Sequence, residues 1–284
     1  MKKESVKKMR IGIIGVGHVG STLAYTLCLQ GLADELVLLD ENKMKVQAEY
    51  LELSDTIHNL PNKVVLIKDD YAALKTADIL VFCAGDITVL ENATDRLAEL
   101  RVTSKIVEDV APKIVASGFS GVIISVTNPC DVIALYLAEL TGSDKRKVIG
   151  SGTLIDTNRL MNRSGRDDVL VIGEHGESQV ALDVSDVIEK LAAKTGWEIY
   201  AAKQHTAFGI ASSVARIISV LEQDTGELLP ISSYDETAGC YYSTLVKISL
   251  EQGVVERVIP SLSSTERKRL QVSIQTIKGN YDRI

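Results

Sequence analysis

A chain of 284 residues is long enough for about two domains at ~100–200 residues each, which excludes a peptide-sized module or a scaffold that depends on disulfide or metal staples. Its 31 Lys and Arg against 38 Asp and Glu leave a net charge of −7, and that balance speaks against a general nucleic-acid binder, which needs a basic face to neutralise phosphates. With 45% hydrophobic and 24% charged residues the composition is that of an ordinary globular protein, neither disordered nor fibrous.

The four cysteines, Cys28, Cys83, Cys130 and Cys240, stand far apart with no C-x-x-C pair, so they point to a reduced compartment rather than a disulfide framework or a zinc site. Residues 1–10 are basic, but the apolar run behind them is broken by Gly12, Gly15, Gly17 and Gly20, unlike the apolar region of a signal peptide. No stretch reaches the ~18 uninterrupted apolar residues of a membrane span. A cytoplasmic protein with neither a membrane nor a nucleic-acid partner is expected.

In chain order, short β-branched runs alternate with helical periods. Residues 10–14, 36–39, 64–67, 79–83, 122–126 and 148–149 read as buried strands, and 21–30, 46–57 and 131–140 as helices, the last stopped by Thr141 and Gly142. This alternation predicts an α/β fold, a doubly wound parallel sheet covered on both faces, over residues 1–150. The pattern then changes. Helical stretches at 156–163 and 206–222 mix with hairpin-like segments over 228–258, where Gly253 is the expected turn. A final helix opens on the capping-box pair Ser263 and Glu266 and carries Leu270, Ile274 and Ile277 on one face. Residues 151–284 are expected to form an α+β domain.

The first strand runs into Gly15-Val-Gly17-His-Val-Gly20 and then a helix, the G-x-G-x-x-G setting of a dinucleotide site. Gly15 suits a tight turn, Gly17 lets backbone N–H groups approach a diphosphate at the helix start, and Gly20 allows close helix–strand packing. Asp40 ends the next strand 20 residues beyond Gly20, where a carboxylate can hold the adenosine ribose hydroxyls and repel the extra phosphate of NADP. NAD is the expected cofactor.

Three further segments complete the pattern: Gly173-Glu-His175-Gly-Glu-Ser178, Gly152-Thr-Leu-Ile-Asp156-Thr-Asn-Arg159 and Val126-Thr-Asn128-Pro129. Together, in this order, they resemble the L-lactate and malate dehydrogenase family, and within it the L-2-hydroxyisocaproate dehydrogenases. The chemistry fits the residues. Moving a hydride between C2 of a 2-hydroxy acid and a nicotinamide needs a group that exchanges the hydroxyl proton near neutral pH, and histidine does so with least adjustment. His175 sits near two glycines after an apolar run; His18, His58 and His205 lack that setting, and no His pair has the i, i+4 spacing of a helical metal site. No metal is expected.

Asp156 and Arg159 are three apart on a predicted helix, which by itself reads first as an intrahelical salt bridge. The resemblance implies that Asp156 orients and stabilises protonated His175, while Arg159 grips the substrate carboxylate through two parallel bonds. It places the Asn128 amide beside the substrate hydroxyl and the nicotinamide ribose, often with a cis peptide next to it; alone, Asn128 reads as a turn residue. It makes the polar segment 86–96 a mobile substrate loop whose Arg96 closes over the site to polarise the reacting carbonyl. Thr206 corresponds to a pocket threonine or, on its own sequence, to a helix N-cap. Thr88 stands where lactate dehydrogenases commonly carry glutamine and malate dehydrogenases arginine, so a roomier, uncharged pocket is implied, suited to a 2-hydroxyisocaproate-like acid. Met161 stands where lactate dehydrogenases activated by fructose 1,6-bisphosphate usually have a second arginine. The family also implies a homodimer or homotetramer.

The chain is shorter than the family between Arg159 and His175, between His175 and Thr206, and slightly before Arg96. Residues 162–168 and 182–186 read as abrupt joins, either genuine deletions, which would weaken the placement of Arg96 and Thr206, or points where mobile segments are missing from the sequence, the reading favoured because losing that much leaves the second core poorly covered. The alternatives are lactate or malate dehydrogenase proper, and a non-catalytic NAD(H)-binding redox sensor. The sensor has no use for His175, Asp156, Arg159, Asn128 and Arg96 together.

Overall fold

The computed structural model describes residues 8–86 and 97–284. Strands β1 (Arg10–Ile14), β2 (Glu35–Leu39), β3 (Val65–Lys68), β4 (Ile79–Phe82), β5 (Val122–Ser125) and β6 (Val148–Gly150) pair in parallel, in the order β3-β2-β1-β4-β5-β6. Successive strand residues point to opposite faces. Ile11, Ile13, Leu36, Leu38, Val81 and Ile124 therefore enter one core, while Ile14, Val37, Leu39, Phe82 and Ile123 enter the other. Burial on both sides is why these strands read as continuous apolar runs. Helices α1 (His18–Gln30), α2 (Lys43–Ile57) and α7 (Phe208–Gln223) cover the first face; α3 (Leu97–Ser117), α4 (Cys130–Thr141) and α8 (Ser264–Tyr281) cover the second.

The sheet continues past residue 150. β9 (Leu228–Asp235) pairs antiparallel with β6 through Gly150 and Ser232, and β10 (Cys240–Ser249) and β11 (Gly253–Val258) extend it to nine strands. Gly253, at φ 73°, opens β11. The α8 capping box forms as its sequence predicts, with Ser263 accepting from the Glu266 backbone and Glu266 accepting from the Ser263 backbone.

The remaining elements, α5 (Leu154–Ser164), β7 (Leu170–Ile172), β8 (Val180–Leu182) and α6 (Asp186–Lys203), surround a third and smaller core of Leu160, Val169, Val171, Ala181 and Ala192. The short connections close as turns. Gly165 ends α5 in the left-handed region, and Arg166 pairs with Asp168 and donates to the Asp183 carbonyl at 2.7 Å. Cover is thin here: Ala192 is the one buried residue of α6, while Val187 and Trp197 are 67% and 48% exposed. Among the described residues no helix is long and apolar enough to cross a membrane. Likewise, no group of three or more His, Cys, Asp or Glu there could hold a metal ion.

Candidate active site

The carboxyl ends of the parallel strands carry the turns after β1, β4, β5 and β6, the place where an open α/β sheet presents its ligand crevice. After β6 the chain enters α5, whose first turn holds Asp156, with Arg159 three residues on. The spacing puts both on one helix face. The two oxygens of buried Asp156 have different partners: Oδ2 lies 2.5 Å from His175 Nδ1, and Oδ1 accepts from Arg159 Nη1 at 3.1 Å. The intrahelical ion pair and the histidine contact thus coexist. Burial pulls the His175 pKa down, but the Asp156 carboxylate outweighs it, and the net shift is above the ordinary 6.5. Burial likewise pushes Asp156 up, and His175 and Arg159 overcome it to hold the carboxyl below its usual range. An ionised carboxylate only accepts, so Nδ1 carries the proton facing Asp156 and Nε2 is left for a ligand.

Four contacts fix the segment that bears His175. Gly173 exchanges backbone bonds with Ser243 of β10 at 2.8 and 2.9 Å, and Glu174 N donates to Ser273 Oγ of α8 at 2.7 Å. His175 N donates to Asp131 Oδ2 at 2.9 Å, and Asp131 also accepts the Ser232 hydroxyl of β9. Asp131 is buried in the first turn of α4, and burial pushes its carboxyl up to about 6. The sequence marks Asp131 only as the beginning of a helix. An acid among Cys130, Val132, Ile133 and Ala134 was the available signal, since buried acids are rare unless paired.

The cofactor turn is shaped by its glycines. Gly15 has φ 88°, and a Cβ there would stand 2.5 Å from Ala84 N; a Cβ on Gly20 would stand 1.9 Å from Gly15 O. Both positions admit only glycine, which lets α1 start tight against β1. Asp40, at the end of β2, accepts from Val16 N at 2.9 Å and from Asn42 N at 3.0 Å. A carboxylate accepts about four hydrogen bonds, so capacity for hydroxyls is kept. Asn128 follows β5 and is joined to Pro129 by a cis peptide; its Oδ1 is buried without a hydrogen-bond partner among the described residues. A buried oxygen left so costs about 1–3 kcal/mol, which a ligand hydroxyl offsets. These residues fit an NAD molecule.

The sequence pattern of the lactate/malate dehydrogenase NAD binding domain matches residues 9–150. L-lactate dehydrogenase of Fusobacterium nucleatum is 30% identical over 304 aligned residues, covering 95% of each chain. L-lactate dehydrogenase 1 of Bifidobacterium longum is 31% identical over 314, covering 98% of each. The chain belongs to the lactate/malate dehydrogenase family. The fold agrees: the crystal structure of the minor L-lactate dehydrogenase from Enterococcus mundtii superposes with a TM-score of 0.90 at 25% identity, over 98% of both chains. This is an NAD-dependent dehydrogenase of the lactate type. Both alignments exceed 284 residues, so these relatives carry internal residues that this dehydrogenase lacks.

In this dehydrogenase Asn128, Asp156, Arg159, His175 and Thr206 line one cavity of about 340 Å³. Thr206 is not a cap: the N-cap of α7 is Ala207, which makes no side-chain bond. Thr88 and Arg96 lie outside the described residues. The cavity also has an apolar wall that the sequence reading missed: Ile155 of α5, Ile210 of α7, and Trp197 and Tyr200 of α6, whose rings meet edge to face at 6.0 Å. With one buried residue, α6 has no core stripe to mark these aromatics as more than surface.

Proposed function

We propose that this dehydrogenase acts on L-2-hydroxy acids and prefers a medium-sized apolar substrate of the 2-oxoisocaproate and 2-hydroxyisocaproate kind. The observation that carries this reading is Asp156 shared between His175 and Arg159 in one cavity, a proton-transfer group and a carboxylate-binding group fixed by the same acid. Bound NADH supplies the hydride in the reducing direction. Arg159 spends one N–H on Asp156 and has others to grip the substrate carboxylate in parallel. Protonated His175 gives its Nε2 proton to the oxygen at C2, while Asp156 stabilises the imidazolium. Asn128 orients the same oxygen, Thr206 lines the pocket, and Arg96 polarises the carbonyl as charge develops. Residues 1–150 hold the cofactor through Gly15, Gly17, Gly20, Asp40 and Asn128, and residues 151–284 supply His175, Asp156, Arg159 and Thr206.

Ile155, Trp197, Tyr200 and Ile210 support an apolar side chain at C3, because each buried methylene adds about 0.8 kcal/mol. Thr88 has no charge for the second carboxylate of oxaloacetate. A pyruvate-specific reading has its own support, since the relatives above are named L-lactate dehydrogenases. A panel of 2-oxo acids followed by NADH consumption separates these. The expected order of kcat/KM is 2-oxoisocaproate, pyruvate, oxaloacetate; pyruvate first would favour the second reading, and oxaloacetate first would contradict both.

A further inference from the structure

His18, the first residue of α1, and His205, shortly before α7, stack with ring centroids 3.9 Å apart and planes within 8°. The pair joins the two halves of the chain at the cofactor turn, since His18 follows Gly17 and His205 precedes Thr206 of the substrate pocket. The proton transfer assigned to His175 uses neither ring. Two cations stand by. Lys45 of α2 brings Nζ 3.6 Å from where a Cβ on Gly17 would be, and Lys203, at the end of α6, lies over the Phe208 ring at 3.7 Å.

The groups acting on His18 are His205, Lys45 and Lys203, each of them positive or becoming so on protonation. The acid near Lys45 is Glu49, one turn further along α2, and the Asp40 oxygens hold the backbone of Val16 and Asn42. Burial first, and then these cations, hold His18 below 6.5. Charge on the His18 ring is opposed by its stacked neighbour and by the two lysines, and an anion at the turn would relieve that opposition. The G-x-G-x-x-G turn would bring one, because a bound diphosphate would be held by the N–H groups beside His18.

We propose that His18 and His205 form a proton-coupled clamp on the cofactor diphosphate, in which His18, stacked on His205, takes up a proton from solvent when NAD(H) binds. Release of the cofactor returns the proton. A site that gains a proton on binding loses affinity as pH rises, and here the grip comes from both halves of the chain at once.

Calorimetric titration of NADH in two buffers of different ionisation enthalpy, near neutral pH, reads the proton directly. Uptake of about half a proton is expected for the wild type, with Kd weakening about tenfold between about pH 6 and pH 8.5. ADP-ribose, which lacks the nicotinamide, should show the same uptake, placing it at the diphosphate and not at His175. In the double variant His18→Gln, His205→Gln the uptake should vanish and Kd become flat across that range. Absence of uptake in the wild type, or its survival in the double variant, would overturn the clamp while leaving the NAD assignment in place.

Discussion

His175 Nδ1 lies 2.5 Å from Asp156 Oδ2, and with the proton-transfer role we propose for His175 this contact sets the pH range of the reaction. Reduction needs the imidazolium. Because Asp156 holds the His175 pKa above 6.5 against burial, kcat/KM for reduction should stay level through pH 6.5 and fall only as pH rises past the elevated value; oxidation, which needs neutral histidine, should rise there. Asp156→Asn removes the larger opposing charge and leaves burial opposed only by the weaker pull of Asp131. The reduction limb should then move to lower pH, with kcat down at least about a hundredfold. An unmoved limb in steady-state pH profiles would contradict the pairing.

Asp131 holds the backbone of His175, the residue to which we assign the proton transfer, and its charge adds to the elevation of the His175 pKa. Asp131→Asn keeps the size and removes the charge. We expect the His175 limb to move down by less than in Asp156→Asn, and stability to fall by about 1–3 kcal/mol as the contacts to Ser232 and His175 N are disturbed. Thermal unfolding beside the pH profile checks both parts.

The sheet was legible because most of its parallel strands are buried on both faces and announce themselves as apolar runs, and the cofactor turn because steric contact at Gly15 and Gly20 leaves no alternative to glycine. Two helices were not. Pro112 lies inside α3, where proline normally argues against a helix, and α6 buries a single residue. Asp131 was illegible for a different reason: its partner is 44 residues away in sequence, and only the fold brings the His175 backbone onto it. Thr206 shows the limit of local rules, since an N-cap and a pocket residue look alike until the helix is seen to begin at Phe208.

Asp40 is placed by two backbone N–H groups at the end of β2. Asp40→Ala should narrow the preference for NAD over NADP by removing a carboxylate that repels the extra phosphate. The ratio of kcat/KM values for the two cofactors measures this, and an unchanged ratio would rule out the role.

Fructose 1,6-bisphosphate should not activate the enzyme. The cavity beside Met161, about 460 Å³ between α5, α7 and β9, is walled by Asp167, Asp168 and Glu227, and its Arg216 is already paired with Glu227. A phosphate there would meet like charge. Assays at sub-saturating 2-oxo acid should give the same KM with and without the sugar bisphosphate; a large drop in KM would refute this.

The most direct measurement compares His175→Ala with the wild type, NADH binding and 2-oxo acid reduction being recorded on the same preparations. Removing the proton donor while leaving Gly15, Gly17, Gly20 and Asp40 in place should lower kcat at least about a hundredfold, with NADH affinity nearly unchanged. Wild-type turnover in that variant would show that the proton comes from elsewhere and that the Asp156, His175 and Arg159 cluster is not the reaction centre.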